Sequence, residues 1–227
     1  GSFAERIRFK AWFWITVLWS IFIYVPAAHS VWAVGGWIRE LGALDFAGGL
    51  VVHMAAGFSA LVIALMLRKR KDFSAPHIKP YDTGMIILGM ALLWFGWFGF
   101  NAGSALAANG LAAHAFATTF FAGAAALVSW VMMDVYTKGK PSAIGAAIGA
   151  VAGLVTITPA AGYVTPMAAI VMGLLGGVVC NFSVSLLKEK FHLDDTLDVF
   201  GCHGVGGTLG SLLTGVFATK SVNPAGA

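Results

Sequence analysis

Long apolar runs separated by short polar connections dominate the pattern of this sequence. Seven runs are long enough, at about 1.5 Å per residue, to cross the roughly 30 Å hydrocarbon core of a membrane as helices. The shortest is the fifth, whose ends are marked by Pro141 and Pro159, and proline suits a helix terminus. We therefore predict an all-α integral membrane protein, one transmembrane domain over residues 1–227. Its predicted spans are 9–28, 44–67, 82–105, 110–136, 142–158, 162–187 and 195–219.

The composition supports lipid as the surroundings. Hydrophobic residues make up 59% of the 227 positions and charged residues only 11%, with a mean hydropathy of +0.83. A water-soluble domain carries about 25% charged residues. The two cysteines, Cys180 and Cys202, lie inside apolar runs and have neither a disulfide framework nor metal-ligand spacing. We therefore expect no metal site.

The basic residues gather in every second connection. Arg39 and Lys220 fall on one predicted side of the membrane. The other side has Arg6, Arg8, Lys10, Arg68, Lys69, Arg70, Lys71, Lys79, Lys138, Lys140, Lys188 and Lys190. Cytoplasmic connections carry the excess of Lys and Arg, so the second side is predicted to be cytoplasmic. An even number of spans would mix the two groups, so the partition also supports seven spans. Because the basic residues are explained by membrane orientation, nucleic-acid binding is not expected.

Glycine recurs at helical spacing in the fifth span, at Gly145, Gly149 and Gly153. Rows of small residues let helix backbones approach closely in a membrane, where the hydrophobic effect does not drive helices together. The row predicts tight packing of this span and indicates no substrate.

The second and seventh spans share a pattern in which a histidine follows an aspartate by eight residues and a small residue follows four later. The shared positions are Asp45, His53 and Gly57 in one span and Asp195, His203 and Gly207 in the other. Aspartate at a helix start caps free backbone N–H groups. Eight residues span about 12 Å, close to the bilayer midplane. The two spans run in opposite directions, as inverted repeats require, and such repeats hold functional sites at the midplane.

The simplest alternative is that each histidine is a polar residue satisfied inside the bundle. Ionisable residues within a membrane usually face an interior or a cavity and mark a pathway. Burial favours the neutral imidazole. We predict that His53 and His203 form a neutral pair that exchanges hydrogen bonds with a small polar solute.

Aromatic residues cluster at the outer end of the third span. Trp97, Phe100 and Ser104 share one helix face, and Trp32 and Asp45 lie at the same level. Aromatic rings near a carboxylate suit a small cation through cation–π attraction. The alternative is an aromatic belt at the membrane interface, which is common. Near the helix end at Pro159, we expect Thr156, Thr158, Tyr163 and Asn101 to satisfy backbone groups.

Four segments together resemble the ammonium transporter family, which includes the Rhesus glycoproteins, and they are closer to its bacterial ammonium transporter branch than to its Rhesus branch. They are 45–57, 96–104, 154–164 and 198–207. The resemblance implies an eleven-helix fold of two inverted five-helix repeats that assembles as a homotrimer. This chain resembles spans four to ten. Since it lacks an initiator methionine, we expect it to be a piece of a longer protein.

The resemblance also assigns roles. His53 and His203 are similar to the twin histidines that line the pore, and Asp45 to the aspartate that supports ammonium recognition. Trp97, Phe100 and Ser104 resemble the outer vestibule, with Phe100 one of two gate phenylalanines. Trp32 resembles the vestibule tryptophan, although one extra residue separates it from Trp37.

The predicted function is transport of ammonium or ammonia across a bacterial inner membrane. Ammonium binds the outer aromatic site, loses a proton near the gate, and ammonia passes the histidine pair. No enzyme activity and no cofactor are expected. The expected partners are ammonium, the lipid bilayer and two further copies of the parent protein, and the resemblance allows a cytoplasmic regulatory protein.

Three other functions share features with this sequence. An ammonium sensor has the same fold and drives a signalling domain. A bis-histidine haem protein ligates iron through His53 and His203. A retinal protein also has seven helices but needs a lysine within a span, and the seventh span has none before Lys220.

Overall fold

The computed structural model describes residues 1–71, 73 and 80–226. This part of the chain is helical, and three π-helical turns interrupt or begin its helices. The α-helices are α1 Phe9–Trp19, α2 Val25–Trp32, α3 Trp37–Glu40, α4 Ala55–Met66, α5 Thr83–Gly103, α6 Gly110–Lys138, α7 Ala143–Ile157, α8 Pro166–Glu189 and α9 Val205–Phe217. The π-turns are Ser20–Tyr24, Gly49–Met54 and Phe200–Gly204.

The helices run between two ends of the molecule, which differ in charge. At the basic end Arg6 and Arg70 contact Asp194, and Lys188 contacts Asp198. At the opposite end the Trp32 indole donates to the Asp45 carbonyl, and the Thr219 N–H donates to the Tyr163 carbonyl. This separation agrees with the predicted charge partition, of which Lys79 lies outside the described residues.

Five helical segments in the described residues are long and apolar enough to cross a membrane. They are 9–40, 49–66, 83–103, 110–138 and 166–189. Helix α7 is apolar but has only 15 residues. It and the segment 200–217 also run between the two ends, which completes the seven predicted spans. The first continues to Trp32, beyond the predicted 28, and the π-turn at Ser20–Tyr24 does not end it.

Helix α7 lies at the centre of the bundle, packed against α6 and α8. Its residues from Ala150 to Ile157 are buried except the half-buried Val151. The predicted glycine row lies against α6: a Cβ at Gly149 would overlap Trp130, and one at Gly153 would overlap the carbonyl of Ala122. The prediction of close packing is confirmed. The short central helix ends before Pro159, which leaves Thr158 at its C-terminus.

The two histidine-bearing helices begin later than predicted. The prediction that an aspartate begins each helix, in spans 44–67 and 195–219, was wrong by several residues: regular structure begins at Gly49 and Phe200. Asp45 and Asp195 lie in the preceding loops because their side chains cap the helix from outside. Each helix opens with a π-turn that contains its histidine. Such π-turns are rare in proteins overall, but those that occur are often found at functional sites.

A salt-bridge cluster fixes the N-terminal segment at the basic end. The carboxylate of Asp194 is 1% exposed and lies 2.8 Å from Arg70 Nη2 and 3.5 Å from Arg6 Nη1. Arg6 also donates to the carbonyl of Ser2, which accepts from Thr196 as well. Burial alone would raise the pKa of Asp194, but hydrogen bonds from Arg70 and the charge of Arg6 outweigh it and lower that pKa.

Candidate functional site

The two histidine helices cross where a glycine on each meets the other backbone. Gly57, four residues after His53, lies against the backbone of Gly204, and a Cβ at this position would overlap it. Gly207, four residues after His203, lies where a Cβ would stand 2.9 Å from His53 Cβ. The contact is therefore reciprocal. The small residue at this spacing lets each helix come close enough for the histidines to touch.

The two imidazoles form a hydrogen-bonded pair. His53 Nδ1 and His203 Nδ1 are 3.1 Å apart, and the ring centroids are 5.2 Å apart. His53 is 3% exposed, whereas His203 is half-buried. The pair joins residues 150 positions apart in sequence. The structure thus brings together the two residues on which the sequence prediction rests most.

A threonine and two aromatic rings surround His53. Its Nε2 lies 3.2 Å from Thr158 Oγ1, which also accepts a hydrogen bond of 3.0 Å from the indole N–H of Trp97. The Trp97 ring stacks on His53 at 5.2 Å and 20°, and the Phe100 ring lies 6.0 Å from His53. Every hydrogen-bonding atom of the His53 side chain therefore has a partner.

Asp45 caps the helix of His53 with its entire carboxylate. Oδ1 accepts from the N–H groups of Gly48 and Gly49, at 2.9 and 2.6 Å, and Oδ2 accepts from Leu50 and Val51, at 2.9 and 3.2 Å. The residue is 6% exposed. A carboxylate so bound acts on a cation through its field and through the helix start that it orders, because its lone pairs are already used.

A cavity of about 800 Å³ opens at the opposite end. Trp32, Asp45 and Ser104 line it, together with Arg39 and Tyr163. The Trp32 indole donates to the Asp45 carbonyl over 2.8 Å, which fixes its position despite the extra residue before Trp37. Burial raises the pKa of Tyr163; the charge of Asp45 adds to this rise and that of Arg39 opposes it. Both charges therefore act on the cavity wall.

The predicted outer residues lie at two depths. Ser104 lines the cavity and donates to the carbonyl of Phe100, one turn deeper on α5. The Phe100 ring meets the Trp97 ring at 5.6 Å and 84°, and Trp97 is 8% exposed. Trp32, Asp45 and Ser104 thus form an outer layer, and Trp97 and Phe100 an inner one that contacts His53.

No sequence pattern predicts the contact between Thr158 and His53. The prediction that Thr158 satisfies a backbone group is confirmed, since its hydroxyl donates to the carbonyl of Leu154 over 2.7 Å. The contact with His53 crosses 105 positions of sequence and has no local signal. Asn101 was expected to serve a backbone group but donates to the Thr119 side chain, because it faces α6. Arg39 and Tyr163 also escaped assignment to the cavity.

The arrangement suits a small solute that exchanges protons or hydrogen bonds. A negative carboxylate and aromatic rings lie near the cavity, and two imidazoles lie beyond the aromatic layer. The model of the Ammonium Transporter Family matches residues 1–227, the full length of the sequence. The chain belongs to the ammonium transporter family.

Curated relatives within this family are similar over the full chain. The sequence is 54% identical to an ammonium transporter of Bacillus subtilis, covering 100% of this chain and 55% of that protein. It is 50% identical to an ammonium transporter of Aquifex aeolicus, covering 98% of this chain and 52% of that protein. The chain spans about half the length of the curated relatives it matches.

Solved structures share the fold. The crystal structure of Saccharomyces cerevisiae Mep2 matches with a TM-score of 0.92 and 41% identity, covering 97% of this chain and 50% of that one. A sensor Amt protein matches with a TM-score of 0.91 and 32% identity, covering 100% of this chain and 59% of that one. With its apolar helices, the chain is therefore a membrane protein of the ammonium transporter fold.

Proposed function

We propose that this chain forms part of a transporter of ammonium or ammonia, with the His53–His203 pair in its pore. The observation that carries the proposal is that a family member places two hydrogen-bonded histidines at the crossing of two helices, beyond a cavity that Asp45 borders. Two bacterial relatives bear the name ammonium transporter, which supports ammonium as the substrate of this protein.

The outer layer recruits the cation in this proposal. Ammonium enters the cavity beside Trp32 and Ser104, and the buried negative charge of Asp45 lowers its energy there. At the boundary with the inner layer, Trp97 and Phe100 add ring faces that attract the cation before it loses its proton. Arg39 borders the same cavity, so the net field on an entering cation is the difference between its charge and that of Asp45.

The inner layer admits the neutral molecule. A bare cation in a membrane interior is costly, so ammonium gives its proton to water in the outer cavity and passes Phe100 as ammonia. Ammonia then reaches the histidine pair, where the half-buried His203 replaces a hydrogen bond that ammonia made with water.

We propose further that the chain is part of a longer transporter, since it covers about half of its relatives. The bacterial origin of these two relatives supports a bacterial inner membrane as its location. A homotrimer, an inverted repeat and a cytoplasmic regulatory partner are implied by the family resemblance. Light scattering of the full-length protein in detergent would measure the number of subunits.

An ammonium sensor is the second candidate, because a sensor Amt protein shares the fold at a TM-score of 0.91. The 32% identity to that protein is lower than the 54% identity to the Bacillus subtilis transporter, which favours transport. A bis-histidine haem site is disfavoured by geometry. Metal–imidazole bonds are about 2 Å long, so the two nitrogens that ligate a haem iron lie about 4 Å apart with the porphyrin between them. The Nδ1 atoms of His53 and His203 instead share a direct hydrogen bond of 3.1 Å.

The test of the function is reconstitution of the full-length protein in liposomes that enclose a pH-sensitive dye. An inward ammonium gradient should change the internal pH faster than in protein-free liposomes. Equal rates would contradict transport. Binding of ammonium without flux would instead favour the sensor.

A further inference from the structure

Thr158 uses the full hydrogen-bonding capacity of its hydroxyl. A threonine hydroxyl donates one hydrogen and accepts two. Thr158 Oγ1 lies 2.7 Å from the Leu154 carbonyl oxygen, which can only accept, so the hydroxyl hydrogen points there. The Trp97 indole can only donate, and its N–H occupies one lone pair of Oγ1 at 3.0 Å. One lone pair remains, and it faces His53 Nε2 at 3.2 Å.

This remaining lone pair requires a donor, so His53 carries its hydrogen on Nε2. A neutral imidazole has one N–H, which leaves Nδ1 of His53 as an acceptor. The contact of 3.1 Å between the two Nδ1 atoms then requires His203 to donate from Nδ1. The Nε2 atom of His203 is left as an acceptor, and in the described part of the chain it has no hydrogen-bond partner.

We propose that Thr158 sets the tautomers of both histidines and thereby the direction of the hydrogen bond between them. The hydrogens point from His203 to His53, from His53 to Thr158 and from Thr158 to the Leu154 carbonyl. Thr158 is a positioning residue: it touches His53 and acts on His203 through it.

The reverse arrangement breaks the network at its shortest contact. With the hydrogen on His53 Nδ1, the bare Nε2 would face a lone pair of Thr158. To donate to Nε2, Thr158 would have to leave the Leu154 carbonyl, exchanging a contact of 2.7 Å for one of 3.2 Å. The Thr158 hydroxyl cannot turn its hydrogen toward Trp97 either, because the indole nitrogen only donates and cannot accept a hydrogen bond.

The direction decides what the pair offers a solute. His203 Nε2 is a bare acceptor, so a molecule that reaches it must donate an N–H or O–H. Ammonia would bind with one of its hydrogens toward His203 and its own lone pair directed away. This consequence rests on the proposed function, whereas the tautomers themselves do not.

The test is solid-state NMR of the full-length protein with ¹³C,¹⁵N-histidine and ¹⁵N-methionine, recorded without ammonium. His53 precedes Met54, a His–Met pair found at no other histidine of this sequence, and the signals that disappear in His53→Ala identify its ring. Coupling across the Nδ1···Nδ1 bond then identifies His203. We expect a protonated Nε2 on His53 and a protonated Nδ1 on His203. The opposite pattern in the wild-type protein overturns the proposal.

Variants separate the role of Thr158 from the pattern itself. Thr158→Val keeps the shape but removes the acceptor, and the rings should become a mixture of tautomers. Thr158→Ser should restore the wild-type spectrum. Thr156→Val is the matched control, since Thr156 is equally buried on α7 and bonds to the Ala152 carbonyl. Unchanged tautomers in Thr158→Val, or the same mixture in Thr156→Val, would contradict the role of Thr158. The readout does not require transport, so absence of flux leaves it intact.

Discussion

The two histidine segments have the same spacing but begin in different ways. At the end of the molecule where the cavity opens, opposite the basic end, Asp45 alone accepts hydrogen bonds from four backbone N–H groups. It has no basic partner within salt-bridge distance among the described residues. At the basic end the work is divided: Asp195 accepts from the Phe200 N–H over 2.7 Å, and Asp198 forms a salt bridge of 2.7 Å with Lys188. One helix start is thus held by four backbone hydrogen bonds to a single carboxylate, and the other by one such hydrogen bond together with a salt bridge.

The difference has a consequence for the site. The start held by Asp45 keeps a carboxylate without a salt-bridge partner beside the cavity, where its field and the opposing field of Arg39 both reach an entering cation. At the basic end Lys188 compensates Asp198; burial raises the pKa of Asp198 and Lys188 opposes the rise. The two halves of a repeated pattern therefore present different potentials to a solute at the two ends.

The largest expected effect comes from removing the two capping aspartates in turn. Asp45→Ala leaves four backbone N–H groups without their acceptor, and one buried unsatisfied group costs about 1–3 kcal/mol. Asp195→Ala frees one. We expect Asp45→Ala to lower the unfolding free energy by about 3 kcal/mol or more and Asp195→Ala by about 1 kcal/mol. Unfolding in mixed detergent measures both, and equal losses would remove the distinction between the ends.

The glycine contacts come next in size. Gly57→Ala places a Cβ against the backbone of Gly204, which cannot rotate away, and overpacking costs about 1–3 kcal/mol. Gly207→Ala meets His53 Cβ at 2.9 Å and should cost less. Gly215→Ala on α9 is the control, because a Cβ there has no neighbour within 4 Å. In thermal unfolding in detergent, the melting temperature of Gly57→Ala should be lower than that of Gly207→Ala, and that of Gly215→Ala should equal or exceed the wild-type value. A neutral Gly57→Ala would refute the close crossing.

A smaller effect is expected for the charge pair of the basic end. Lys188→Met leaves Asp198 without its partner, and since Lys188 is 43% exposed we expect a loss of about 1 kcal/mol or less. Salt screens such pairs, so the difference from wild type should shrink in concentrated salt. The effect of Asp45→Ala should not shrink with it. If the loss of unfolding free energy in Lys188→Met did not depend on salt, the salt bridge with Asp198 would not be what stabilises this helix start.

The smallest effect is local and depends on pH. The folded pKa of Asp194 lies below its ordinary value, so its ion pairs stabilise the N-terminal segment fully above about pH 4. This contribution disappears as the pH falls through the lower, folded pKa. Hydrogen exchange of residues 2–8, expressed as a protection factor against the unfolded chain at the same pH, should therefore show strong protection near neutral pH and lose it in stronger acid. Protection of 2–8 that persists in acid would rule out the ion pairs as its cause.

The spans and the paired histidines could be predicted because they depend on local pattern. Run length determines which segments cross a membrane, and the spacing from Asp45 to His53 and from Asp195 to His203 determines depth. The network at Thr158 could not be predicted, since it requires α7 to end beside the π-turn of His53, and no local pattern encodes that distance. The unequal capping of the two segments was likewise hidden, because Asp45, Asp195 and Asp198 are one residue type in different surroundings.

The uptake of ¹⁴C-methylammonium by cells that express the full-length protein tests the central claim most directly. The double variant His53→Ala with His203→Ala should be compared with His29→Ala, which removes an exposed histidine outside the pair. If the pair lines the pore, the double variant lowers the uptake rate roughly tenfold or more, equivalent to about 1.4 kcal/mol or more in the barrier, while His29→Ala matches the wild type. Uptake by the double variant equal to that of the wild type, at equal amounts of protein in the membrane, would contradict the account.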